Sequence, residues 1–352
     1  MRHCLLLALL LACGRVGGQQ TATPLPRYGG ALEPGEARWA TGMNYDPMDV
    51  PLDWRHPDTL LVAHAERYTN FDVVGVTCAG TGFFAVPVTP GTPRVVSVGR
   101  PACSAVDIDG APAVDPTGHW VVFSVRTEPN NSALARLELA TGRVDTLRTG
   151  CAIYAEEPAW SYDGRAIAFK GLCESRDQEE WGLYIIGADG TGLQALPGER
   201  GYSAESPSWS SDGHRLAYVR THTTANLHES EVAIVDLHGG GRLVLGRGHA
   251  PVWSPDGEWI AYVADRTSNV RDAEVRLIRS NGSGDRLVFR SDDRSTFRRG
   301  WGPIREGIPG GPLVWSPDGA WLAFARSFDR GTSVWRVNVR TDAVWQVTRR
   351  ER

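Results

Sequence analysis

One short motif recurs four times in this sequence, and it constrains the fold more than any other feature. Each copy has a tryptophan, then Ser, a variable residue, Asp and Gly, and an aliphatic and aromatic run follows closely. Repetition at intervals of about 44 to 62 residues predicts equal structural units that stack on each other. The residues that define the four copies are Trp160, Asp163, Gly164, Trp209, Asp212, Gly213, Trp253, Asp256, Gly257, Trp315, Asp318 and Gly319.

The motif is also a turn signal. Proline presets φ at the first central position of a tight turn, Asp suits the second, and Gly leaves the turn without strain. The tryptophan therefore ends one strand, and a third strand (183–186, for example) and a fourth follow in each unit. With 40 Gly and 22 Pro in 352 residues, the composition favours many short strands over a helical bundle. The sequence predicts an all-β chain of four-stranded antiparallel units.

Two weaker copies of the motif, at residues 53–58 and 112–118, bring the number of units to six. The Trp-Ser-Pro-Asp-Gly copies resemble the TolB-type β-propeller repeat, a relative of the WD repeat, over about residues 48–350. The resemblance implies a six-bladed β-propeller over residues 48–352 that serves as an interaction scaffold. We expect a bare propeller, without the additional α/β domains that other members of this group carry.

The first residues have the pattern of a secretory signal. Arg2 precedes the apolar run Leu5–Ala12, which is too short to span a bilayer but suits a signal peptide. Residues 1–18 are therefore assigned to a signal peptide, and the protein is expected to be exported.

Two modes of processing are open. Leu10-Leu11-Ala12-Cys13 resembles a bacterial lipobox, in which Cys13 carries the lipid and anchors the protein to the outer membrane. Ordinary cleavage after Gly18 would instead release a soluble periplasmic chain. In either case residues 19–47 form a tether or an N-terminal extension, which either adds a strand or plugs the propeller.

Four further cysteines are candidates for disulfides, because export permits them and an even number suits pairing. Two local bridges, Cys78–Cys103 and Cys151–Cys173, would each clip a loop to a neighbouring connection, and buried reduced thiols are the alternative. Neither a C-x-x-C pair nor the spacing of a zinc site is present in the sequence. We therefore expect no metal at these cysteines.

The longer connections are expected at the blade ends opposite the tight turns, where a rigid scaffold usually presents its binding loops. The longest connection, residues 291–311, contains Arg298, Arg299 and Trp301. Arginine mixed with aromatic residues is typical of protein interfaces, although Trp301 packed on an adjacent blade would explain the same pattern. These three residues are the first binding candidates.

A second candidate connection, residues 219–229, contains His222 and His228. Their spacing is not diagnostic of a metal site, so both are binding candidates and no metal ion is expected.

Charge and motifs exclude several function classes. The net charge of −4 gives no reason to expect nucleic acid binding, and a lipid at Cys13 would be the only link to a membrane. No nucleophile elbow, zinc-protease motif, phosphate loop or dinucleotide fingerprint is present, so no cofactor is expected. The leading hypothesis is an exported, monomeric, non-enzymatic propeller that binds a protein or peptide in the bacterial cell envelope.

Two alternatives remain at this point. Some related propellers cleave polysaccharides, so a glycan or small-molecule site at the mouth of the channel, with or without catalysis, is the second hypothesis. A detached sensor domain whose catalytic partner is a separate chain is the third.

Overall fold

The strands of the propeller can be placed along most of the chain. The computed structural model describes residues 37–39, 48–56, 59–65, 81–88, 94–97, 112–128, 131–147, 149, 152–173, 181–224, 227–239, 241–265, 273–290, 296–297, 313–328 and 331–350. Within these residues, no helix is long and apolar enough to cross a membrane.

Five sheets of the described chain have four antiparallel strands each, and each sheet uses four strands that are consecutive in sequence. We call these sheets blades 1 to 5. Blade 1 is formed by β2 (Met48–His56), β3 (Thr59–Ala65), β4 (Thr81–Pro87) and β5 (Arg94–Ser97). Blade 2 is formed by β6 (Ala113–Val114), β7 (Trp120–Glu128), β8 (Asn131–Glu138) and β9 (Val144–Thr146). Blade 3 is formed by β10 (Ala152–Trp160), β11 (Ala166–Cys173), β12 (Gly182–Gly187) and β13 (Gln194–Ala195). Blade 4 is formed by β14 (Ser203–Trp209), β15 (Arg215–Thr224), β16 (Leu227–Asp236) and β17 (Arg242–Arg247). Blade 5 is formed by β18 (His249–Trp253), β19 (Trp259–Asp265), β20 (Ala273–Arg279) and β21 (Arg286–Arg290).

The last sheet has five strands, because its first strand comes in two pieces. Its strands are β22 (Thr296–Phe297), β23 (Val314–Trp315), β24 (Trp321–Phe328), β25 (Gly331–Asn338) and β26 (Val344–Gln346). Both β22 and β23 pair with β24, at different positions along it. The predicted connection 291–311 is thus interrupted by a strand.

The first and the last described strands pair with each other. In the N-terminal segment 19–47, β1 (Ala37–Trp39) pairs in parallel with β27 (Thr348–Arg350), directly after the last sheet. Residues 37–39 therefore form a strand, and the role of the segment 19–47 as a whole stays a prediction.

Buried side chains pack between neighbouring sheets all along the chain. Between blades 3 and 4, Ala168 and Leu183 pack with Trp209 and Leu216. Comparable clusters join blade 1 to 2, 2 to 3, 4 to 5, blade 5 to the last sheet, and the last sheet to blade 1. First strands of adjacent blades contact each other, whereas fourth strands carry exposed residues such as Leu243. The chain is therefore an all-β propeller of four-stranded antiparallel blades, with the first strand of each blade nearest the axis.

The repeated motif forms the same hydrogen bonds in each copy. In blade 3, Ser161 Oγ donates to Asp163 Oδ1 (2.7 Å) and accepts from the backbone N–H of Ala166 (3.0 Å). Asp163 Oδ1 also accepts from the backbone N–H of Arg165 (3.0 Å). The same bonds recur at Ser210, Ser254 and Ser316. Each turn therefore satisfies its own polar groups next to the motif tryptophan.

The motif tryptophans connect each blade to the one before it. In three of them the indole N–H donates to a backbone carbonyl of the preceding blade. These bonds are Trp160 to Ala113 (3.2 Å), Trp209 to Ala159 (3.1 Å) and Trp315 to Val252 (3.3 Å). Trp253 is the most buried of the four, with 1% of its surface exposed, and it packs with side chains of blades 4 and 5.

The prediction of a loop over residues 219–229 is wrong. The pairing of β15 with β16 continues to Thr224 and Leu227, so these two strands form a hairpin over most of this range. The apolar pattern stops at Val219, but threonine favours extended structure, and Thr221 and Thr223 continue the strand. The strands β7 and β8 form a hairpin of the same kind, since Glu128 pairs with Asn131.

Candidate functional site

The first strands of blades 3, 4 and 5 share a local irregularity. Glu157, Ser206 and Ala250 lie three residues before the motif tryptophan, and their φ angles are 52°, 52° and 48°. Each is followed by proline, and the pairing register shifts at each of them. A left-handed residue at a bulge bends the strand and turns neighbouring side chains in a new direction. Side chains near the axis are therefore placed differently from those of a regular strand.

Glu157 uses this placement to reach the next blade. Its Oε2 atom accepts hydrogen bonds from the backbone N–H (2.6 Å) and the hydroxyl (2.8 Å) of Ser206. The carboxylate of one left-handed residue thus holds the left-handed residue of the adjacent first strand. Blades 3 and 4 are joined at this point by polar contacts as well as by their apolar core.

Lys170 on β11 lies among three glutamates. Its Nζ atom donates to Glu205 Oε2 at 3.2 Å and lies 3.7 Å from Glu157 Oε1 and 3.8 Å from Glu156 Oε2. The side chain of Lys170 is 16% exposed, and Nζ lies 4.7 Å from the centre of the Trp181 ring. We call these four charged residues the Lys170 cluster.

Burial alone would lower the pKa of Lys170, but the carboxylates of Glu157, Glu205 and Glu156 outweigh burial and raise it above its ordinary value of 10.5. Lys170 therefore stays protonated at neutral pH and is neither a nucleophile nor a base. One positive and three carboxylate groups leave the cluster with an excess of negative charge.

Aromatic side chains flank the cluster. The rings of Tyr154 and Trp181 lie 5.0 Å apart, at the start of β10 and just before β12. Thr221 Oγ1 contacts Glu205 Oε1 at 3.4 Å from the other side. The result is a half-buried acidic surface with an aromatic border, between the first strands of blades 3 and 4.

A small crevice lies beside the cluster, between β12 and β15. Arg220 in its wall donates to Glu199 Oε2 (2.7 Å) and Glu231 Oε2 (2.9 Å) and lies 4.1 Å from the centre of the Tyr202 ring. Burial would lower the pKa of Arg220, but these hydrogen-bonded carboxylates raise it. The cavity measures about 30 Å³, which is room for one or two water molecules. The described crevice is thus a satisfied ion-pair network next to the Lys170 cluster.

The sequence can now be compared with known proteins. The sequence profile of the TolB beta propeller domain matches residues 100–305, more than half of the chain. The chain belongs to the TolB β-propeller family. No match to a curated protein sequence was found.

Solved structures agree with this TolB-type fold. A TolB-type protein from Agrobacterium tumefaciens is 19% identical, with a TM-score of 0.51, over 68% of this chain and 79% of that one. TolB from Acinetobacter baumannii is 13% identical, with a TM-score of 0.55, over 86% of this chain and 63% of that one. Oligogalacturonate lyase from Vibrio parahaemolyticus is 11% identical, with a TM-score of 0.53, over 84% of this chain and 92% of that one. At these identities the similarity establishes the fold alone.

The predicted binding histidines of this TolB-family chain lie on the hairpin of blade 4. His222 Nδ1 is 2.6 Å from the carbonyl oxygen of Gly201, so this nitrogen carries the proton, and the ring packs against Tyr202. His228 lies across the hairpin, paired with Thr223. Among the described residues, no group of three or more His, Cys, Asp or Glu side chains could hold a metal ion.

The other predicted site residues are not tested by the structure. The described residues do not include Cys13, Cys78, Cys103, Cys151, Arg298, Arg299 and Trp301. Cys173 ends β11 and pairs with Ala152, the chain neighbour of Cys151. The Cys151–Cys173 bridge, the Cys78–Cys103 bridge and the lipid at Cys13 stay predictions.

Sequence reasoning did not find the Lys170 cluster. Its members come from β10, β11 and β14, and no spacing rule links residues on the first strands of two different blades. One signal was present, because Lys170 is the only lysine in a chain with 37 basic residues. A single lysine within a strand, after a Glu-Glu-Pro segment on the preceding strand, indicates an ion pair rather than a solvated surface.

Proposed function

We propose that this TolB-family chain is an exported, non-enzymatic scaffold with six blades, which binds a protein or peptide partner in the bacterial cell envelope. The observation that carries the proposal is the Lys170 cluster with its aromatic border. It is the kind of surface that recognises a cationic segment of a partner.

The count of six blades rests on the last sheet. Apolar clusters join this sheet to blade 5 on one side and to blade 1 on the other, as they join the other neighbours. Val314 and Trp315 of β23 occupy the place of a first strand, and β24, β25 and β26 supply the remaining three. The additional strand β22 then extends the first strand of the sixth blade.

The charge of the cluster determines which partner would fit. Three carboxylates near one ammonium group attract a further cation, and an Arg or Lys side chain of the partner would find acceptors on Glu156, Glu157 and Glu205. The rings of Tyr154 and Trp181 offer faces for cation–π contact and the aromatic content that binding hot spots favour.

The same charge disfavours the polysaccharide alternative. The Vibrio enzyme is named for oligogalacturonate, an oligosaccharide that carries carboxylates. An oligosaccharide of that kind would meet like charges at this surface. A cationic peptide therefore fits the cluster better than an anionic glycan.

Binding would be tested in two steps. The partner would first be captured by photo-crosslinking in intact cells and identified by mass spectrometry. A synthetic peptide covering the cationic segment of that partner would then be titrated by fluorescence anisotropy. We expect the triple variant Glu156→Gln, Glu157→Gln, Glu205→Gln to bind the peptide at least about tenfold more weakly, because removing charge-assisted hydrogen bonds costs more than about 1.4 kcal/mol.

A matched control removes three negative charges elsewhere. The variant Glu138→Gln, Asp189→Asn, Glu258→Gln changes carboxylates of blades 2, 3 and 5 near the tight turns. It should bind like the wild type, and raising the salt concentration should weaken the wild type more than the cluster variant. Equal binding by the wild type and the cluster variant would contradict the proposal, as would a partner whose contact segment is acidic.

Export would be tested separately. Fractionation of cells that carry the wild type and Cys13→Ser, together with metabolic labelling by a fatty acid, measures location and lipidation. We expect label on the wild type and none on Cys13→Ser, and a cytoplasmic wild-type chain would contradict export.

A further inference from the structure

The two tight turns of a blade lie side by side, and a backbone hydrogen bond ties them together. A residue of the turn between strands three and four donates its N–H to the carbonyl of a residue in the turn between strands one and two. These bonds are Leu139 to His119, Ala188 to Arg165, Leu237 to His214, Ser280 to Glu258 and Val339 to Ala320, at 2.8 to 3.0 Å. Two positions are therefore equivalent in each of these five sheets. One is the residue whose carbonyl accepts the bond, and the other is the residue directly after the one whose N–H donates it. We call these two places the turn pair.

Only blade 4, among the blades with these described bonds, has two histidines at the turn pair. The rings of His214 and His238 lie 4.7 Å apart, centre to centre, at an interplanar angle of 71°, and both are exposed. The other turn pairs are His119 with Ala140, Arg165 with Asp189, Glu258 with Asn281, and Ala320 with Arg340.

The backbone at both histidines is held in place. Asp212 Oδ1 accepts from the N–H of His214 (2.9 Å), and Asp236 Oδ1 accepts from the N–H of His238 (2.8 Å). The side chains of Asp212 and Asp236 therefore lie next to the two histidines, and Arg215, whose Nη2 atom is 3.6 Å from Asp212 Oδ2, is the cation beside them.

We propose that His214 and His238 form a two-ligand site for a divalent transition-metal ion, with Zn²⁺, Ni²⁺ and Cu²⁺ as the ions that imidazole favours. Two metal–nitrogen bonds of about 2.0–2.1 Å at a tetrahedral angle place the ring centres about 5 Å apart, close to the observed separation. Water completes the coordination, because the rings are exposed. The site lies on the tight turns, away from the Lys170 cluster, and does not depend on the partner proposed there.

Metal binding would be measured by isothermal titration of the metal-free full chain with ZnCl₂ and with NiCl₂. We expect His214→Ala and His238→Ala each to weaken metal binding at this site by at least about tenfold. Losing even a group that only hydrogen-bonds to a metal ligand weakens metal affinity about tenfold or more. Because both side chains are exposed, the variants should keep the circular dichroism spectrum of the wild type. His119→Ala is the matched control, since His119 has the place of His214 in blade 2 but faces Ala140.

A gain of binding tests the geometry directly. Ala140→His places a second imidazole opposite His119, and we expect it to add one site to the number measured for the wild type. Two results would overturn the proposal: unchanged binding in both His214→Ala and His238→Ala, or an Ala140→His variant with no additional site.

Discussion

The tight-turn ends of the blades and the axial bulges are built from the same strands, yet they differ in how regular they are. At the tight turns, blades 3, 4 and 5 and the last sheet have the same Ser–Asp hydrogen bonds, and three of the four motif tryptophans form the same bond to a backbone carbonyl. At the bulges, Glu157, Ser206 and Ala250 share a backbone conformation but carry different side chains. Only between blades 3 and 4 do the described bulges give a carboxylate that crosses to the next blade.

The tight turns therefore hold the propeller together, whereas the bulges make one blade differ from another. The tight turns use side chains to satisfy the backbone, so a change there affects stability in any blade. The bulges fix only the backbone direction, which leaves the side chain free to take on a function.

The largest effect is expected at the tight-turn end. Trp253→Ala removes a ring that is 1% exposed between blades 4 and 5, and it should lower the free energy of unfolding by roughly 3–5 kcal/mol in urea titrations. Trp345→Ala is the control, because that ring is 51% exposed and its loss should cost less than about 1 kcal/mol. A cost below about 1 kcal/mol for Trp253→Ala would show that the ring does not fill the space between the blades.

Loss of Lys170 should come second. Lys170→Met leaves Glu156, Glu157 and Glu205 without their common cation, and we expect a loss of about 2 kcal/mol, less than for a fully buried pair because Lys170 keeps some exposure. The raised pKa means that, wherever the glutamates are ionised, the ammonium group stabilises the fold below pH 10.5, and the contribution is lost as the pH rises through the raised pKa. Combining Lys170→Met with Glu205→Gln should recover part of the loss, and no recovery would argue against charge as its cause.

A smaller effect, with a defined pH dependence, is expected at the turn of the last sheet. Ser316→Ala removes the donor to Asp318 Oδ1 (2.6 Å) and the acceptor of the Trp321 N–H (2.9 Å), and it should cost about 1–2 kcal/mol. The Ser316 hydroxyl is the main cause of the lowered pKa of Asp318, so the stabilisation is present above pH 3.8 and is lost as the pH falls further.

The difference between wild type and Ser316→Ala should therefore shrink when unfolding is measured at pH 3 rather than pH 6. Ser283→Ala is the control, because Ser283 donates to the amide oxygen of Asn281, which does not titrate. A difference for Ser316→Ala that stays constant with pH would contradict the assigned cause.

The smallest effect concerns the bulges. Ala250→Gly places glycine where φ is 48°, and relief of the left-handed strain should stabilise the chain or leave it unchanged, within about 1 kcal/mol. Ala204→Gly, on β14 outside the bulge, should instead destabilise by about 0.5–1 kcal/mol. Thermal unfolding of the two variants side by side measures the sign, and a loss of the same size at both positions would argue against strain at Ala250.

The sequence predicts the regular part of this molecule well. The Trp-Ser-x-Asp-Gly copies are local signals, so the turns, their flanking strands and the four-stranded blades follow from residues that are close in sequence. The apolar pattern predicts a loop where blade 4 has a hairpin, because Thr221 and Thr223 continue the strand after that pattern has ended. A prediction of strand ends from apolar residues misses the part of a strand that continues with polar residues.

The candidate site could not be predicted in the same way. Glu157 and Ser206 meet only because both adopt left-handed φ angles on adjacent first strands, and nothing in a glutamate or a serine before proline predicts that angle. Lys170 reaches Glu205 across a blade boundary, 35 positions further along the chain. Such contacts depend on how the blades pack, which the spacing of the repeats does not specify.

The single lysine has a practical consequence. A reagent that modifies lysine side chains finds one lysine in this chain, and there the amine is held among carboxylates with 16% of the side chain exposed. The rate of acylation at Lys170, measured by mass spectrometry, therefore reports how often blades 3 and 4 separate locally. A partner bound to the Lys170 cluster would lower this rate, so the peptide fragment that contains Lys170 reports both local opening of the propeller and binding of the partner.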